Sequence, residues 1–408
     1  MNILIISDDL KTGKTTGANI RLLKLIKYIS RDHKDVKFEI YTPFTSEDNI
    51  MELPNTNIHY IKSKLYSYII RTFPKRNNIF KKIIWKILTY PGTTDYLWVR
   101  KALSEILING GNKKYDLILL QVPSYLNIIY GSILKNKMKI PLIYDLRDDL
   151  INIKNIVGKK YIEKKMVKNG DKIVCVTEMS LNNMKNKYEF CSSKFKFIPN
   201  GYDPEDLILD KITIENSKSN IKSIVYTGTI DKNRANVFIS IFKILNQLNN
   251  TINNLPLKLN LLIFTNQSNI NILVKKFNLE KIVFINNYIT DRNKYFSILA
   301  NSDMLLSVNY NTHFSIPGKL YEYLIFKEQV IHIDNSSVCN EVLRYFPKSK
   351  LILFDEIAGI QNIIRQILLS DGNKAKKINF DNLPIKFINK YHRANIAKKY
   401  LQTVNGII

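Results

Sequence analysis

The chain has 408 residues, too many for one typical core, so two domains are expected. Its three cysteines, Cys175, Cys191 and Cys339, are too few and too scattered for a disulfide framework or a zinc site, and the five histidines form no metal-ligand spacing. The formal net charge of +26 implies attraction to something anionic: nucleic acid, phospholipid or a phosphorylated substrate.

No targeting signal is expected at the start. Met1 to Ile6 is too short for a signal peptide, and Asp8 and Asp9 cut it off. No apolar run reaches the ~18 residues needed to span a bilayer. A cytoplasmic protein is expected, or one attached to the inner face of a plasma membrane from the cytosolic side.

Asn2 to Ser7 reads as a buried strand, Lys11 to Gly17 as a glycine-containing loop, Ala18 to Ile29 as a helix and Lys37 to Thr42 as a second strand. Strand, glycine loop, helix, strand opens a parallel α/β domain. The loop is not a P-loop, because no second glycine lies upstream of Gly13 at the required spacing. Tyr60 to Leu103 is apolar, aromatic and basic together. From His59 to Lys101 it carries ten basic residues against one acid, Asp95. Lys81, Lys82 and Lys86 alternate with Ile83, Ile84, Trp85, Ile87 and Leu88. With Lys75, Arg76 and Trp98 nearby, this predicts an amphipathic helix on an anionic membrane surface. A core helix with a solvated basic edge is the alternative. No recognition module accompanies the charge, so nucleic acid is not expected.

Asp116 to Val122 and Pro141 to Asp145 read as strands with a helix, Ser124 to Lys135, between them. Arg147, Asp148 and Asp149 follow the second strand, at the edge where open α/β sheets bind ligands. Val157 to Lys168 is predicted helical. Lys172 to Val176 is a strand ending in Thr177 and Glu178, and Lys196 to Ile198 is a short one. The turn cluster Pro199 to Pro204 and the polar Asp210 to Lys222 mark the domain boundary. A second α/β series then runs from the strand Ser223 to Thr227, through a loop from Gly228 to Arg234, to the helix Glu356 to Leu369. The expected division is 1–203, 204–385 and a C-terminal helix in 386–408, near Asn389 to Gln402, crossing back to the first domain.

Within the second series, Phe314 to Leu324 stands out. Pro317 suits the first turn of a helix. Gly318 leaves the backbone open, and Lys319 adds a cation at the helix N-terminus. Leu320, Tyr323 and Leu324 share one face; Lys319 and Glu322, three residues apart, share another. Free N–H groups, a glycine and a lysine suit a phosphate, and a carboxylate one turn later can accept hydrogen bonds from sugar hydroxyls. An ordinary amphipathic helix is the alternative.

Three stretches together resemble the retaining GT-B glycosyltransferases, above all glycosyltransferase family 4. They are the first strand with its loop at Gly17, the linker Ile198-Pro199-Asn200-Gly201-Tyr202-Asp203, and Pro317 to Leu324. The resemblance implies two Rossmann-like domains whose parallel sheets face an interdomain cleft. It implies a nucleoside-diphosphate sugar as donor substrate, no cofactor and no metal. Glu322 falls where the family contacts ribose, and Gly318 and Lys319 fall beside the diphosphate. Gly228, Thr229, Ser315 and Leu320 complete the donor side. Arg234 takes the place of a family lysine, while Thr229 stands where an arginine is usual and Lys232 is a possible substitute. Phe314 replaces a family glutamate, and Ser315 is the candidate to cover its contact. Asp145, Arg147 and Asp148 occupy the place of a family histidine. Lys319, Arg234 and Asp148 are the expected catalytic groups, with Gly17, Arg147, Thr177 and Asn200 on the acceptor side. The implied activity is sugar transfer to a lipid-linked or polysaccharide acceptor in bacterial surface glycan synthesis. A nucleotide-sugar epimerase and a non-catalytic binding subunit are the alternatives.

Overall fold

The computed structural model describes residues 1–7, 10, 17–44, 52–63, 93–109, 115–122, 125–148, 158–207, 211–213, 221–253, 258–266, 269–310, 314–326, 330–369 and 382–408. They form two compact units: Met1–Asn200 with Arg393–Ile408, and Gly201–His392.

The first unit is built on a parallel sheet. Its strands are β1 (Asn2–Ile6), β2 (Lys37–Phe44), β3 (Thr56–Lys62), β4 (Leu117–Val122), β5 (Leu142–Leu146), β6 (Lys172–Cys175) and β7 (Phe195–Phe197). Their order is β3-β2-β1-β4-β5-β6-β7. Such strands are covered on both faces and read as continuous apolar runs rather than as alternation. Along β1, Ile3 and Ile5 enter one hydrophobic cluster with Leu25, Ile26, Ile396 and Tyr400. Leu4 and Ile6 enter the other, with Leu120, Tyr144 and Trp98. Alternate residues of a strand face opposite sides, so one short run serves two cores.

The second unit repeats the plan with β8 (Ile221–Thr227), β9 (Lys258–Phe264), β10 (Val283–Asn286), β11 (Met304–Val308), β12 (Val330–Asp334) and β13 (Lys350–Leu353). Their order is β10-β9-β8-β11-β12-β13. In both sheets the chain winds outward from one central strand and then reverses. The carboxyl ends of β1 and β4, and of β8 and β11, therefore flank a topological switch point.

Several elements differ from expectation. β3 is a strand the sequence reading did not place. The helix Thr93–Asn109 turns the Trp98 indole into the core, at 1% exposure, so Trp98 is no membrane anchor. The predicted membrane helix at Lys81 to Leu88 lies outside the described residues. A further helix, Glu178–Lys187, follows β6; Thr177 is its N-cap, accepting the Ser180 N–H at 3.0 Å. The last helix is two helices, Ile385–Tyr391 and Arg393–Asn405, broken at His392, whose backbone is extended. There His392 bridges to Tyr202, and Tyr202 N–H donates to the Tyr391 carbonyl at 3.0 Å. The helix Arg393–Asn405 packs on the helix Gly17–Asp32 within the first unit.

One buried ion pair secures the end of the first unit. Arg21 and Asp145, with side chains 4% and 3% exposed, meet in a two-pronged pair at 2.9 and 3.1 Å. The same guanidinium donates to the Pro199 carbonyl at 2.6 Å, the Ile198 carbonyl at 3.0 Å and Asn200 Oδ1 at 3.2 Å. A planar five-donor fork can satisfy this set, which a single ammonium cannot.

Candidate functional site

The switch point of the second unit gathers polar groups from separate parts of the chain. β8 ends at Thr227, after which Gly228 takes φ +156. A Cβ there would meet the Tyr226 hydroxyl at 3.0 Å. That hydroxyl donates to the Thr229 carbonyl at 3.0 Å and so shapes the loop. Asp231 then opens the helix Lys232–Asn253, accepting the Asn233 and Arg234 N–H groups. Arg234 leans back over this turn. Its Nη1 reaches Asp231 at 3.1 Å and the Thr229 carbonyl at 3.4 Å, and its Nε reaches the Val308 carbonyl at 3.3 Å. Arg234 thus ties the carboxyl ends of β8 and β11 together.

The connection after β11 delivers the helix Gly318–Phe326. Leu320, Tyr323 and Leu324 are buried, as their spacing predicts. Leu320 packs into the core, and its N–H donates to the Pro317 carbonyl. The opposite face carries Lys319 and Glu322. Lys319 Nζ donates to the Thr227 carbonyl at 3.0 Å and approaches Thr227 Oγ1 at 3.3 Å. It lies over the rings of Tyr288 and Tyr295, at 5.4 and 5.8 Å from their centroids. Burial pushes its pKa down to about 8; Arg292 and Arg234 add to that push and Glu322 opposes it. A partly desolvated ammonium beside two guanidiniums is poised to gain from an arriving anion.

Glu322 is held from both sides. Arg292 Nη2 donates to Oε1 at 2.9 Å and the Tyr295 hydroxyl donates to Oε2 at 3.0 Å. Each carboxylate oxygen keeps a further lone pair for another donor. Arg292 and Tyr295 belong to the helix Arg292–Asn301, capped by Asp291. Burial raises the Tyr295 hydroxyl pKa, so it stays a hydrogen-bond donor. Tyr323 completes the floor, its hydroxyl 2.8 Å from Thr227 Oγ1.

The structure thus brings Gly228, Thr229, Arg234, Lys319 and Glu322 to one end of one sheet. Ser315 is half-buried, and its carbonyl accepts from Asn309 Nδ2 at 3.3 Å. Lys232 is exposed on the first turn of its helix. Arg292, Tyr295, Tyr323 and Thr227 were not foreseen; the one signal was Asp291-Arg292 opening a helix at the sheet's carboxyl edge. In the first unit, Gly17 opens its helix, Arg147 and Asp148 follow β5, Thr177 is a buried cap and Asn200 is held by Arg21.

Comparison with known proteins adds the fold and a family likeness over part of the chain. Residues 16–206 match the model of Glycosyltransferase Family 4. Sucrose-phosphate synthase from Thermosynechococcus elongatus superposes with a TM-score of 0.68 at 13% identity, over 99% of this chain and 98% of that one. The chain has the GT-B fold, and residues 16–206 resemble Glycosyltransferase Family 4. HepE of Anabaena, solved with UDP and glucose, matches this chain with a TM-score of 0.64 at 14% identity over both whole chains. The E. coli trehalose-6-phosphate protein bound to UDP-2-fluoro glucose gives 0.68 at 11%, again over both whole chains. No curated protein sequence matches the chain. Among its described residues no helix is long and apolar enough to cross a membrane.

Proposed function

We propose that this protein is a glycosyltransferase that moves a hexosyl or N-acetylhexosaminyl group from a nucleoside-diphosphate sugar to a lipid-linked or polysaccharide acceptor of the bacterial cell surface, with retention of configuration. The observation that carries this reading is the placement of Lys319 and Glu322 on one face of the helix that starts at the switch point, with Arg234 and Arg292 beside them. UDP with glucose in one related structure and UDP-2-fluoro glucose in another make a UDP-sugar the first donor to try.

In this reading the diphosphate lies against the Gly318 N-terminus. Two of the Lys319 N–H bonds face Thr227, and the third can take a phosphate oxygen. As the bond between the anomeric carbon and the diphosphate oxygen breaks, charge grows on the leaving oxygens. Lys319, Arg234 and the helix N–H groups stabilise it without rearranging. The acceptor hydroxyl bonds to the anomeric carbon from the same face and passes its proton to the leaving phosphate. No protein nucleophile is consumed. Glu322, oriented by Arg292 and Tyr295, takes hydrogen bonds from the ribose hydroxyls. Asp148 contacts the acceptor or the transferred sugar. The excess positive charge favours an acceptor on an anionic membrane face.

A thermal-shift panel of UDP, GDP, ADP and CMP sugars tests the donor assignment. A ligand at a hundred times its dissociation constant adds about 2.7 kcal/mol of stability, so one panel member should raise the melting temperature clearly. A flat panel would overturn the reading. Glu322→Ala should weaken binding of the free nucleoside diphosphate by about tenfold, the loss expected for one or two charged hydrogen bonds. Unchanged affinity in calorimetry would remove the ribose role.

A further inference from the structure

A second group of chemically capable side chains lies at the end of β12 and plays no part in the transfer chemistry. His332 and Asp334 are two residues apart on that strand, so their side chains share a face. Cys339 returns to the same place from the turn that follows. All three are fully buried, at 0% exposure. His332 Nε2 lies 3.3 Å from Asp334 Oδ2, and Cys339 Sγ lies 3.8 Å from that same oxygen. The three ligand atoms fall within 4.8 Å of one another. Asn309, from the end of β11, brings its side-chain amide to 3.1 Å from Asp334 Oδ2.

Hydrogen bonding alone accounts for part of this. Asp334 Oδ1 accepts the Asn335 N–H at 2.7 Å, and Oδ2 faces Asn309, His332 and Cys339. Among the described residues, though, Asp334 has no lysine or arginine partner, and a buried carboxylate without a cation is costly. The thiol is also a weak donor, 3.8 Å away. A divalent ion answers both points. Thiolate and carboxylate together carry two negative charges, which such an ion cancels. Zinc bonds run about 2.0 to 2.3 Å, and a triangle with these edges has its centre within a few tenths of an ångström of that reach. His332 Nδ1 is 2.9 Å from Ser307 Oγ, the outer hydrogen bond that orients a metal-binding imidazole with Nε2 inward. Asn309 Nδ2 donates to Asp334 Oδ2 and to the Ser315 carbonyl, so its amide holds the carboxylate from outside the coordination sphere, and water completes the tetrahedron.

We propose that His332, Asp334 and Cys339 bind one zinc-class divalent cation as a structural brace. The thiolate selects zinc or a similar transition ion over magnesium or calcium. On binding, the Cys339 thiol gives up its proton to solvent and its sulfur bonds the ion. The brace joins the carboxyl ends of β11 and β12. Through Asn309, whose amide donates both to Asp334 Oδ2 and to the Ser315 carbonyl, it bears on the connection that presents Gly318.

The test uses the full chain, free of affinity tags, expressed in minimal medium with cobalt(II) or zinc(II). The expected result is one ion per chain by elemental analysis. The cobalt form should show a thiolate-to-cobalt charge-transfer band in the near ultraviolet. A Cys175→Ser/Cys191→Ser variant should keep the band, and Cys339→Ser should lose it together with about tenfold or more of the bound metal. Far less than one ion per chain overturns the proposal, as does a band that survives in Cys339→Ser or vanishes in the double variant. If Cys339→Ser does not fold, the double variant decides, since Cys339 is then the only thiol left to give the band. Nucleotide-sugar binding is a separate readout, so a metal-free chain that still binds its donor sinks this inference and not the functional reading.

Discussion

Lys319→Met is expected to cut sugar transfer by about 10²–10³-fold, the usual loss for one preorganised donor to a developing oxyanion. Its circular dichroism should not change. The melting temperature at pH 7 should not fall, because the variant removes an ammonium that burial disfavours. Near-wild-type transfer would end the diphosphate assignment. The same residue sets a pH dependence. In the ligand-free protein Lys319 loses its proton as pH rises through about 8, so affinity for a nucleoside diphosphate should decline through that range. An unfolded lysine stays protonated to about pH 10.4. Between those values the unfolded chain binds more protons, so the Lys319 contribution to stability rises with pH while donor affinity falls. Binding above pH 8 should take up a proton, read as a buffer-dependent enthalpy in calorimetry. A Lys319→Met protein whose binding heat keeps the wild-type buffer dependence would contradict this.

Arg21→Met is expected to destabilise the chain by about 3–5 kcal/mol, because it leaves the buried Asp145 carboxylate without its cation. It also frees the carbonyls of Ile198 and Pro199, which Arg21 now satisfies. Urea unfolding of the full chain measures the loss. Arg21→Lys should recover only part of it, since one ammonium cannot reach so many acceptors. Arg21→Met combined with Asp145→Leu should recover more than Arg21→Met alone, because the stranded charge is gone. A loss below about 1 kcal/mol in Arg21→Met would show that the pair contributes no more than an exposed one.

Much of this architecture is visible in the linear chain because parallel strands leave a simple trace. β4 and β11 are almost wholly apolar, and the helices between strands show their buried stripe. Lys319 and Glu322 could be read because helical spacing alone puts them on one face. What escaped depends on distance. Arg292 and Tyr295 lie about thirty residues before Glu322 and reach it only once β10 and the following helix are in place. Arg21 meets Asp145 across 124 residues. β3 was missed because it is an edge strand, half-exposed along most of its length, with Thr56, Asn57, His59 and Tyr60 breaking its apolar pattern. Trp98 looked like a surface aromatic among basic residues, yet its helix turns it inward. The break at His392 has no proline or glycine to announce it. It exists because that residue bridges to Tyr202, so tertiary pairing overrides a sequence that would otherwise continue as helix.

The return of residues 393–408 to the first unit also dictates an order of events during synthesis. Nascent domains tend to fold as they emerge, at about 5–20 residues per second. The first sheet leaves the ribosome early, but Ile396, Ala397, Tyr400, Leu401 and Val404 are part of its core. Leu25 and Ile26 therefore stay uncovered for on the order of ten seconds or more while roughly two hundred further residues are made. The contiguous Gly201–His392 unit needs nothing downstream and is expected to close first. A chain truncated after His392 and released from the ribosome should then carry a protease-resistant second half and a first half open to cleavage around the helix Gly17–Asp32.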